Sequence, residues 1–428
     1  MRILMLTQFF QPIIGGEERL VQDLCVELVQ RGHEVSVATL WHAGSKEYET
    51  NRGVQIFRIR STTQRASWLY KESQRRHVPP LPDPEATWAL RRILARVRPE
   101  VVHAHNWLMY SFLPLNWRRR IPLVVTLHDY GLICATRRLV YHDTMCSGPG
   151  PLKCLTCSMQ HYGRTKGVVT TLAQRMMNAV GLRMVDMFLP ISNAVAVGNG
   201  LPASSLPFQV IPDFVPDHID AIQSNTDSYI GQLPNEDYIL FVGDLSREKG
   251  IHILLRAYAQ LRDAPPLVLI GRKCPDTPAN FPPNVMFLAS WPHAAVMEAW
   301  RRCSIAIAPS VWSEPFGLVV IEAMASGRPV IASRTGGIPD IIIDNHTGLL
   351  VPPGDPTALR SALERLLADR DLRERMGTAG ERRAKDFQAS AVVPRIEQVY
   401  RYLVQPSLAY GSYRLTDTTQ NIEDGQGR

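Results

Sequence analysis

Two glutamates eight residues apart, Glu314 and Glu322, stand on either side of a predicted helix start. The preceding run IAIAPS is typical of a buried strand, and the run from Leu318 onward is typical of a helix. Eight residues at roughly 100° each return to nearly the same helix face, so both carboxylates can point into one cleft. There they can accept hydrogen bonds from vicinal hydroxyls, for instance on a sugar and a ribose. The alternative is that Glu322 is a solvated helix residue.

The three residues before this helix, 315–317, favour an anion-binding turn. Pro315 prevents an earlier helix start, and Gly317 removes the side chain where the helix begins. Backbone N–H groups at a helix start have no partner within the helix, and the helix dipole places positive charge behind them. A phosphate or a polar sugar hydroxyl fits that environment.

A histidine, His128, follows the predicted strand LVVTL and precedes Asp129. At a strand end beside a cleft it can donate a hydrogen bond to a sugar; the alternative is a satisfied core histidine. His103 and His105 alternate on one strand and point the same way, so a structural role is as good an interpretation as a functional one. Asp129 is either a base on the acceptor side or a turn acid.

Four of the seven cysteines, Cys134, Cys146, Cys154 and Cys157, fall within 24 positions of a loop-rich stretch. The Cys-x-x-Cys spacing of the last two suits a zinc site, which the other two would complete with four thiolates, and His142 is a substitute ligand. Free thiols or a redox pair are the alternative. Cys25, Cys274 and Cys303 are interpreted as packing residues.

The elements around these residues predict an α/β protein with two Rossmann-like domains facing across a cleft, because the pattern strand, glycine turn, helix, parallel strand occurs twice. The last strand predicted in the first half covers residues 208–211. The predicted organisation begins with an N-terminal acceptor domain at 1–212, which contains the cysteine-rich loop 134–157. A linker at 213–237 leads to a C-terminal nucleotide-sugar domain at 238–388. A C-terminal helix at 389–404 returns toward the N-terminal domain, and a disordered tail follows at 405–428.

Composition and charge narrow the function classes. With 428 residues, 45% hydrophobic and 20% charged, the chain is an ordinary globular one, and no apolar run suits a membrane span or a signal peptide, which predicts a cytoplasmic protein. Residues 1–212 carry 25 Lys and Arg against 14 Asp and Glu, and the rest carry 22 against 26. The basic half could face an anionic membrane or an acidic substrate, or form solvated helix faces. Nucleic-acid binding is not expected, since no reading module is present.

A long apolar stretch, 165–185, is interrupted by Lys166, Arg175 and Arg183. It predicts a surface helix packed on the first sheet, with a helix lying on a membrane as the alternative.

The stretch EPFGLVVIEAMASGRPVIASRTGGIPDII resembles the signature of the family-four retaining glycosyltransferases, which have the GT-B fold. The resemblance extends to about residue 400 and includes GGEERLV, VVHAHNW, VVTLHD, VGDLSREKG and HTGLLVPPGDPTAL. It implies that Glu314 holds the transferred sugar and Glu322 the nucleotide ribose. The backbone amides implied to meet the sugar or phosphates are those of Phe316, Gly317 and Leu318.

The same resemblance implies roles for three further residues. Gly16 would approach the donor diphosphate so closely that a side chain would clash. Lys249 would bind the diphosphate and stabilise the leaving group. His128 matches a histidine that the family has at this place, so the implied catalytic set is His128, Glu314 and Lys249.

One position departs from the family pattern. The family usually has an arginine directly after the glycine of the VG-x-L turn, where this chain has Asp244. An acid there cannot bind phosphate, so Arg247 either replaces the missing arginine or is a surface charge.

The implied function is a retaining transfer from a nucleotide-diphosphate sugar to a glycan or lipid-linked acceptor, in polysaccharide, lipopolysaccharide or glycolipid assembly. No acidic metal motif accompanies the phosphate turns, so no catalytic metal is expected. A location at the inner face of an anionic membrane fits the basic half. The alternatives are a nucleotide-sugar epimerase of the same fold and a non-catalytic nucleotide-sugar-binding subunit.

Overall fold

The computed structural model describes residues 1–13, 15–65, 78–142, 144–217, 226–289 and 291–405, which form two α/β lobes. The middle of the predicted linker and the predicted tail beyond residue 405 lie outside the described residues. The strands of the N-terminal lobe are β1 (Arg2–Leu6), β2 (Glu34–Leu40), β3 (Tyr48–Asn51), β4 (Val54–Ile59), β5 (Val101–Ala104), β6 (Leu123–Leu127), β7 (Val140–Tyr141), β8 (Thr144–Met145) and β9 (Met187–Pro190).

Seven of these strands form one sheet in the order β3-β4-β2-β1-β5-β6-β9, and β7 and β8 form a separate small hairpin. All sheet neighbours are parallel except β3, which runs antiparallel to β4 at the edge. The central strands β1, β5 and β6 are almost wholly buried because helices cover both faces of a parallel sheet.

The C-terminal lobe has a six-stranded parallel sheet. Its strands are β10 (Ile239–Val242), β11 (Leu267–Gly271), β12 (Val285–Ala289), β13 (Ile305–Ala308), β14 (Val330–Ser333) and β15 (Gly348–Val351). They lie in the order β12-β11-β10-β13-β14-β15, so the chain reverses direction across the sheet at β10 and β13. Open sheets of this kind bind ligands at such a switch point, beyond the carboxyl ends of the strands.

Helices cover the faces of both sheets. They are α1 (Gly16–Gln30), α2 (Pro84–Val97), α3 (Met109–Asn116), α4 (Pro151–Tyr162), α5 (Arg164–Gly181), α6 (Asn193–Gly198), α7 (Asp227–Ile230), α8 (Ile251–Tyr258), α9 (His293–Arg302), α10 (Leu318–Ala325), α11 (Ile338–Ile341), α12 (Pro356–Ala368), α13 (Arg370–Ala384) and α14 (Ala389–Val404).

The last helix, α14, packs on the N-terminal lobe although it follows the C-terminal sheet in sequence. Val392, Val393 and Ile396 share an apolar cluster with Leu24 and Leu28 of α1. The chain therefore crosses between the lobes a second time.

The predicted strand over residues 208–211 is wrong in its extent. This segment runs beside β9, where the N–H groups of Gln209 and Ile211 donate to the carbonyls of Phe188 and Pro190, but it forms only an isolated bridge. Prolines at 207 and 212 bound the segment and lack the N–H groups that would lengthen the ladder.

Candidate active site

The turn before α10 is built as a helix start without a side-chain cap. Gly317 has a φ of +117°, in the left-handed region that favours glycine, and no side chain caps the helix there. Phe316 is buried and packs edge-on against Phe387, which fixes the turn from below. The first amides of α10 therefore have no side-chain partner, as an anion-binding turn requires.

Glu314 and Lys249 meet in front of this turn. Nζ of Lys249 donates to Oε2 of Glu314 over 2.6 Å, and the same oxygen accepts from Ser310 at 3.1 Å and from the Trp312 indole at 3.0 Å. The Glu314 side chain is only 14% exposed. The structure thus places the predicted sugar-binding carboxylate and the predicted diphosphate-binding ammonium in direct contact.

Glu322 is buried on α10 and accepts a hydrogen bond from Nε2 of His293 over 2.8 Å. It is therefore not a solvated helix residue. His293 begins α9 directly after Pro292, and no motif in the sequence marked it as a site residue.

A cavity of about 410 Å³ separates the two lobes beside these residues. Leu318 and Glu322, one turn apart on α10, line it from the C-terminal lobe, together with His293. The facing wall is one side of α1, whose residues at helical spacing line the cavity: Gly16, Arg19, Leu20 and Asp23. Arg52 of the β3–β4 turn lines the same wall.

The α1 wall of this cavity carries charge that sequence reasoning missed. Arg19 and Arg52 face the cavity with Asp23, whose pKa burial raises to about 6 in spite of both arginines and His293. Asp23 is thus uncharged below about pH 6, which leaves the arginines in excess there. The helical spacing of residues 16, 19, 20 and 23 is the signal that could have found this wall.

Gly16 lies directly across the cavity from α10. A Cβ atom added at Gly16 would lie 4.0 Å from Cδ1 of Leu318, which is ordinary van der Waals contact. The protein itself would therefore tolerate a methyl group there, so the need for glycine at this position would have to come from a ligand between the two helices.

Asp244 forms an ion pair with Arg272 at the end of β11, over 2.9 Å. The Arg247 side chain is exposed, while its backbone N–H donates to Asp276 over 2.6 Å. Arg272 is therefore the ion-pair partner of Asp244, and a phosphate-binding role for Arg247 stays a prediction.

His128 lies at the carboxyl end of β6 with both ring nitrogens close to protein groups. Its Nδ1 is 3.5 Å from Oδ1 of Asp213, and its Nε2 is 3.0 Å from Nδ1 of His105. Burial lowers the pKa of His128, but the Asp213 carboxylate and the nearby Glu17 outweigh burial, so the pKa is raised overall. Asp213 was not predicted as a site residue because it falls where the sequence predicts a linker to begin.

His103 on β5 and His105 directly after it are buried and neutral. Burial lowers the pKa of His103 to about 3 and the pKa of His105 well below its usual value. His103 bridges the Tyr400 hydroxyl of α14 at 2.6 Å and the Thr126 hydroxyl at 2.7 Å, which is a structural role. His105 contacts His128 and so belongs to the site.

Asp129 closes its own turn and holds an arginine. Its carboxylate accepts from the Gly131 N–H at 2.6 Å and pairs with Arg137 at 2.5 Å. Arg137 also lies 3.4 Å from Glu17 at the start of α1. The turn-acid interpretation of Asp129 accounts for these contacts.

The cysteine-rich stretch follows Asp129 in the chain, and all seven cysteines carry free thiols. Burial and then the neighbouring thiols of Cys134, Cys146 and Cys154 raise the pKa of Cys157, so the four sulfurs are near one another. As placed, they do not form a metal site: no three or more His, Cys, Asp or Glu side chains in the described part of the chain are arranged to hold an ion. Zinc binding by these cysteines therefore stays a prediction.

Metal analysis of the purified full chain tests that prediction. If the four thiolates bind zinc, the protein contains one equivalent, and a Cys154→Ser, Cys157→Ser variant loses it, whereas Cys274→Ser does not, because Cys274 lies in the loop after β11. A metal-free protein whose four loop thiols all react with a thiol reagent would contradict it.

Two family models match the chain. The model described as "Glycosyltransferase Family 4" matches residues 14–196, and the model described as "Glycosyl transferases group 1" matches residues 226–383. The D-inositol 3-phosphate glycosyltransferase of Corynebacterium diphtheriae is 27% identical over 436 residues, which cover 94% of each chain. The glycogen synthase of Mycobacterium tuberculosis is 25% identical over 435 residues and also covers 94% of each chain.

Solved structures share the fold at lower identity. The sucrose-phosphate synthase of Thermosynechococcus elongatus has a TM-score of 0.71 at 22% identity and covers 95% of this chain and 99% of its own. HepE of Anabaena in complex with UDP-glucose has a TM-score of 0.64 at 17% identity and covers 93% of this chain and 98% of its own. The chain belongs to the family-four glycosyltransferases, and its two lobes form the GT-B fold.

Proposed function

We propose that this glycosyltransferase moves a sugar, with retention of configuration, from a nucleotide-diphosphate sugar to a hydroxyl group of a glycan or lipid-linked acceptor. The observation that carries the proposal is the contact between Lys249 and Glu314 in front of the uncapped start of α10. This combination of groups suits a sugar diphosphate. The ammonium and the free amides can bind the phosphates, and the carboxylate can accept hydrogen bonds from the sugar hydroxyls.

The cavity between α1 and α10 supports the placement of the donor. Gly16, Leu318 and Glu322 line it, and these are three of the residues to which the family resemblance assigns donor contacts. In this proposal Glu322, oriented by His293, accepts hydrogen bonds from the ribose hydroxyls. Arg19 and Arg52 bring positive charge to the phosphates from the opposite wall.

Lys249 exchanges partners when the donor binds. The ammonium leaves its 2.6 Å contact with Glu314 for the diphosphate, and Glu314 accepts hydrogen bonds from the sugar instead. Bond cleavage between the anomeric carbon and the phosphate oxygen then develops charge on a group that Lys249 and the α10 amides already face. The acceptor oxygen bonds to the anomeric carbon on the same face, and its proton passes to the leaving phosphate.

His128 serves this site as a charged group on the N-terminal lobe. Asp213 beside Nδ1 raises the pKa of His128, which favours the protonated ring at the carboxyl end of β6. A positive charge there stabilises the diphosphate leaving group, and the hydrogen bond to the sugar that the family resemblance implies requires Nε2 to leave His105.

The acceptor class follows from the charges around His128. Arg137 is already paired with Asp129 and Glu17, so this arginine, among the residues that the structure describes, is not left for a phosphate on the reacting sugar. The similar proteins include enzymes named for inositol 3-phosphate and sucrose phosphate. A neutral sugar hydroxyl suits the residues around His128 better than a phosphorylated sugar does. Assembly of a polysaccharide, lipopolysaccharide or glycolipid on the cytoplasmic side of a membrane is the setting that we propose.

A two-step assay tests the proposed function. A thermal-shift screen of nucleotide sugars identifies the donor, since a ligand at a hundred times its dissociation constant adds about 2.7 kcal/mol to the free energy of unfolding. With that donor, release of nucleoside diphosphate is expected to rise when glycan or polyprenyl acceptors are added. Conversion of the donor to an epimer without any acceptor would instead favour an epimerase. Donor binding without either reaction would favour a binding subunit.

A further inference from the structure

The helical hairpin formed by α4 and α5 exposes an apolar stripe to solvent. On α5 the stripe consists of Val169, Leu172, Met176 and Val180, which are 48%, 58%, 57% and 56% exposed. Their spacing of three, four and four residues places them on one side of the helix. Leu152 at the start of α4 is 79% exposed. Contiguous exposed apolar side chains of this kind mark an interaction surface.

The same hairpin is basic and free of acids. Residues 144–185 contain no Asp or Glu, and their cations are Lys153, Arg164, Lys166, Arg175 and Arg183. Arg164, Arg175 and Arg183 are exposed. A surface with this charge repels a second copy of itself and attracts an anionic partner.

The opposite side of α5 holds the candidate active site together. Nε2 of Gln174 donates to the Gly131 carbonyl over 2.6 Å, and Nδ2 of Asn178 donates to the Leu132 carbonyl. These carbonyls belong to the loop that directly follows His128 and Asp129. The polar buried side of α5 thus fixes the acceptor-side loop, while the exposed side makes no contribution to that packing.

We propose that the α4–α5 hairpin docks the enzyme on an anionic lipid bilayer. The apolar stripe enters the headgroup region, and Arg164, Arg175 and Arg183 bind lipid phosphates at its margin. No described helix is long and apolar enough to cross a bilayer, so the hairpin lies on the surface. Because α5 is about one helix diameter thick, about 10 Å, docking brings the loop after His128 close to the membrane, within reach of a lipid-linked acceptor.

This docking does not depend on the transfer reaction, so a binding experiment tests it separately. The full chain is floated with vesicles of phosphatidylcholine alone and of phosphatidylcholine mixed with phosphatidylglycerol. Wild-type protein is expected to float with the anionic vesicles and to be released by high salt. A Leu172→Ser, Met176→Ser variant is expected to lose about tenfold or more in vesicle affinity, because both side chains are exposed and leave the core unchanged.

The matched control replaces apolar residues of similar exposure elsewhere. Val197 and Ile343 are 61% and 50% exposed, so Val197→Ser, Ile343→Ser should bind vesicles like wild type. Arg164→Gln, Arg175→Gln should lose the preference for anionic vesicles. The proposal would be overturned if wild-type protein did not bind anionic vesicles, or if wild type and both hairpin variants floated equally. It would also be overturned if the protein formed a solution dimer that the Leu172→Ser, Met176→Ser change dissociates.

Discussion

A Glu314→Ala variant is expected to lose about 100-fold or more in turnover while its circular dichroism spectrum and cooperative melting are retained. The carboxylate binds Lys249, Ser310 and Trp312 through one oxygen and leaves the other for substrate. Its removal takes away the acceptor for the sugar hydroxyls and leaves the Lys249 ammonium without its anion. Turnover is measured as acceptor-dependent release of nucleoside diphosphate from the donor found by the thermal-shift screen.

Binding of the nucleoside diphosphate alone separates this role from a general loss of the site. Glu314→Ala should bind it as well as wild type or better, because Lys249 is then free for the phosphates. Glu322→Ala should bind it more weakly, since Glu322 lines the nucleotide cavity. Glu364→Gln, at an exposed position of α12, serves as the control that leaves both properties unchanged. Wild-type turnover in Glu314→Ala would show that Glu314 does not hold the sugar.

A Gly336→Ala variant is expected to lose about 2–4 kcal/mol of free energy of unfolding. Gly336 has a φ of +57°, and a Cβ atom there would lie 1.9 Å from the carbonyl oxygen of Glu314. Neither backbone segment can yield easily, because the Gly337 N–H donates to that same oxygen over 2.8 Å and the Ser192 hydroxyl donates to the Pro315 carbonyl over 2.6 Å. Urea denaturation measures the change.

A second glycine provides the comparison. Gly354 has a φ of +79° but nothing within 4 Å of an added Cβ atom, so Gly354→Ala suffers only the conformational strain, on the order of 1 kcal/mol. Gly336→Ala should also lower turnover, since it displaces the backbone of Glu314. If both variants lost the same free energy of unfolding, the close approach of the added Cβ atom to Glu314 would not contribute to the destabilisation.

The family and the fold could be predicted from the sequence because they rest on local patterns. Apolar strands, glycine turns and amphipathic helices repeat in an order that only a doubly wound sheet satisfies. The strand predicted at 208–211 does run beside β9, but it is shorter than predicted. The helix start and the pair of glutamates around it could also be recognised locally, but helix geometry does not fix the direction of Glu314, because α10 begins only at Leu318.

The charge balance of the site could not be predicted in the same way. Arg247 was expected either to replace the missing phosphate-binding arginine or to be a surface charge, whereas the ion pair of Asp244 with Arg272, 28 residues away just beyond the neighbouring strand, was not predicted. Asp213 was assigned to a linker, yet it lies beside His128. In both cases the partner is set by the order of strands in the sheet, which residue spacing along the chain does not encode.

The sequence by itself determined the succession of strands, turns and helices and predicted which residues are candidates for the chemistry, since both depend on residue types and spacing over one or two turns. Only the tertiary structure decided which of them meet: Lys249 with Glu314, His293 with Glu322, and the α1 wall with α10. Those contacts join residues from 29 to about 300 positions apart. They exist because two separate sheets turn their carboxyl ends toward one cleft, where buried charges must find partners.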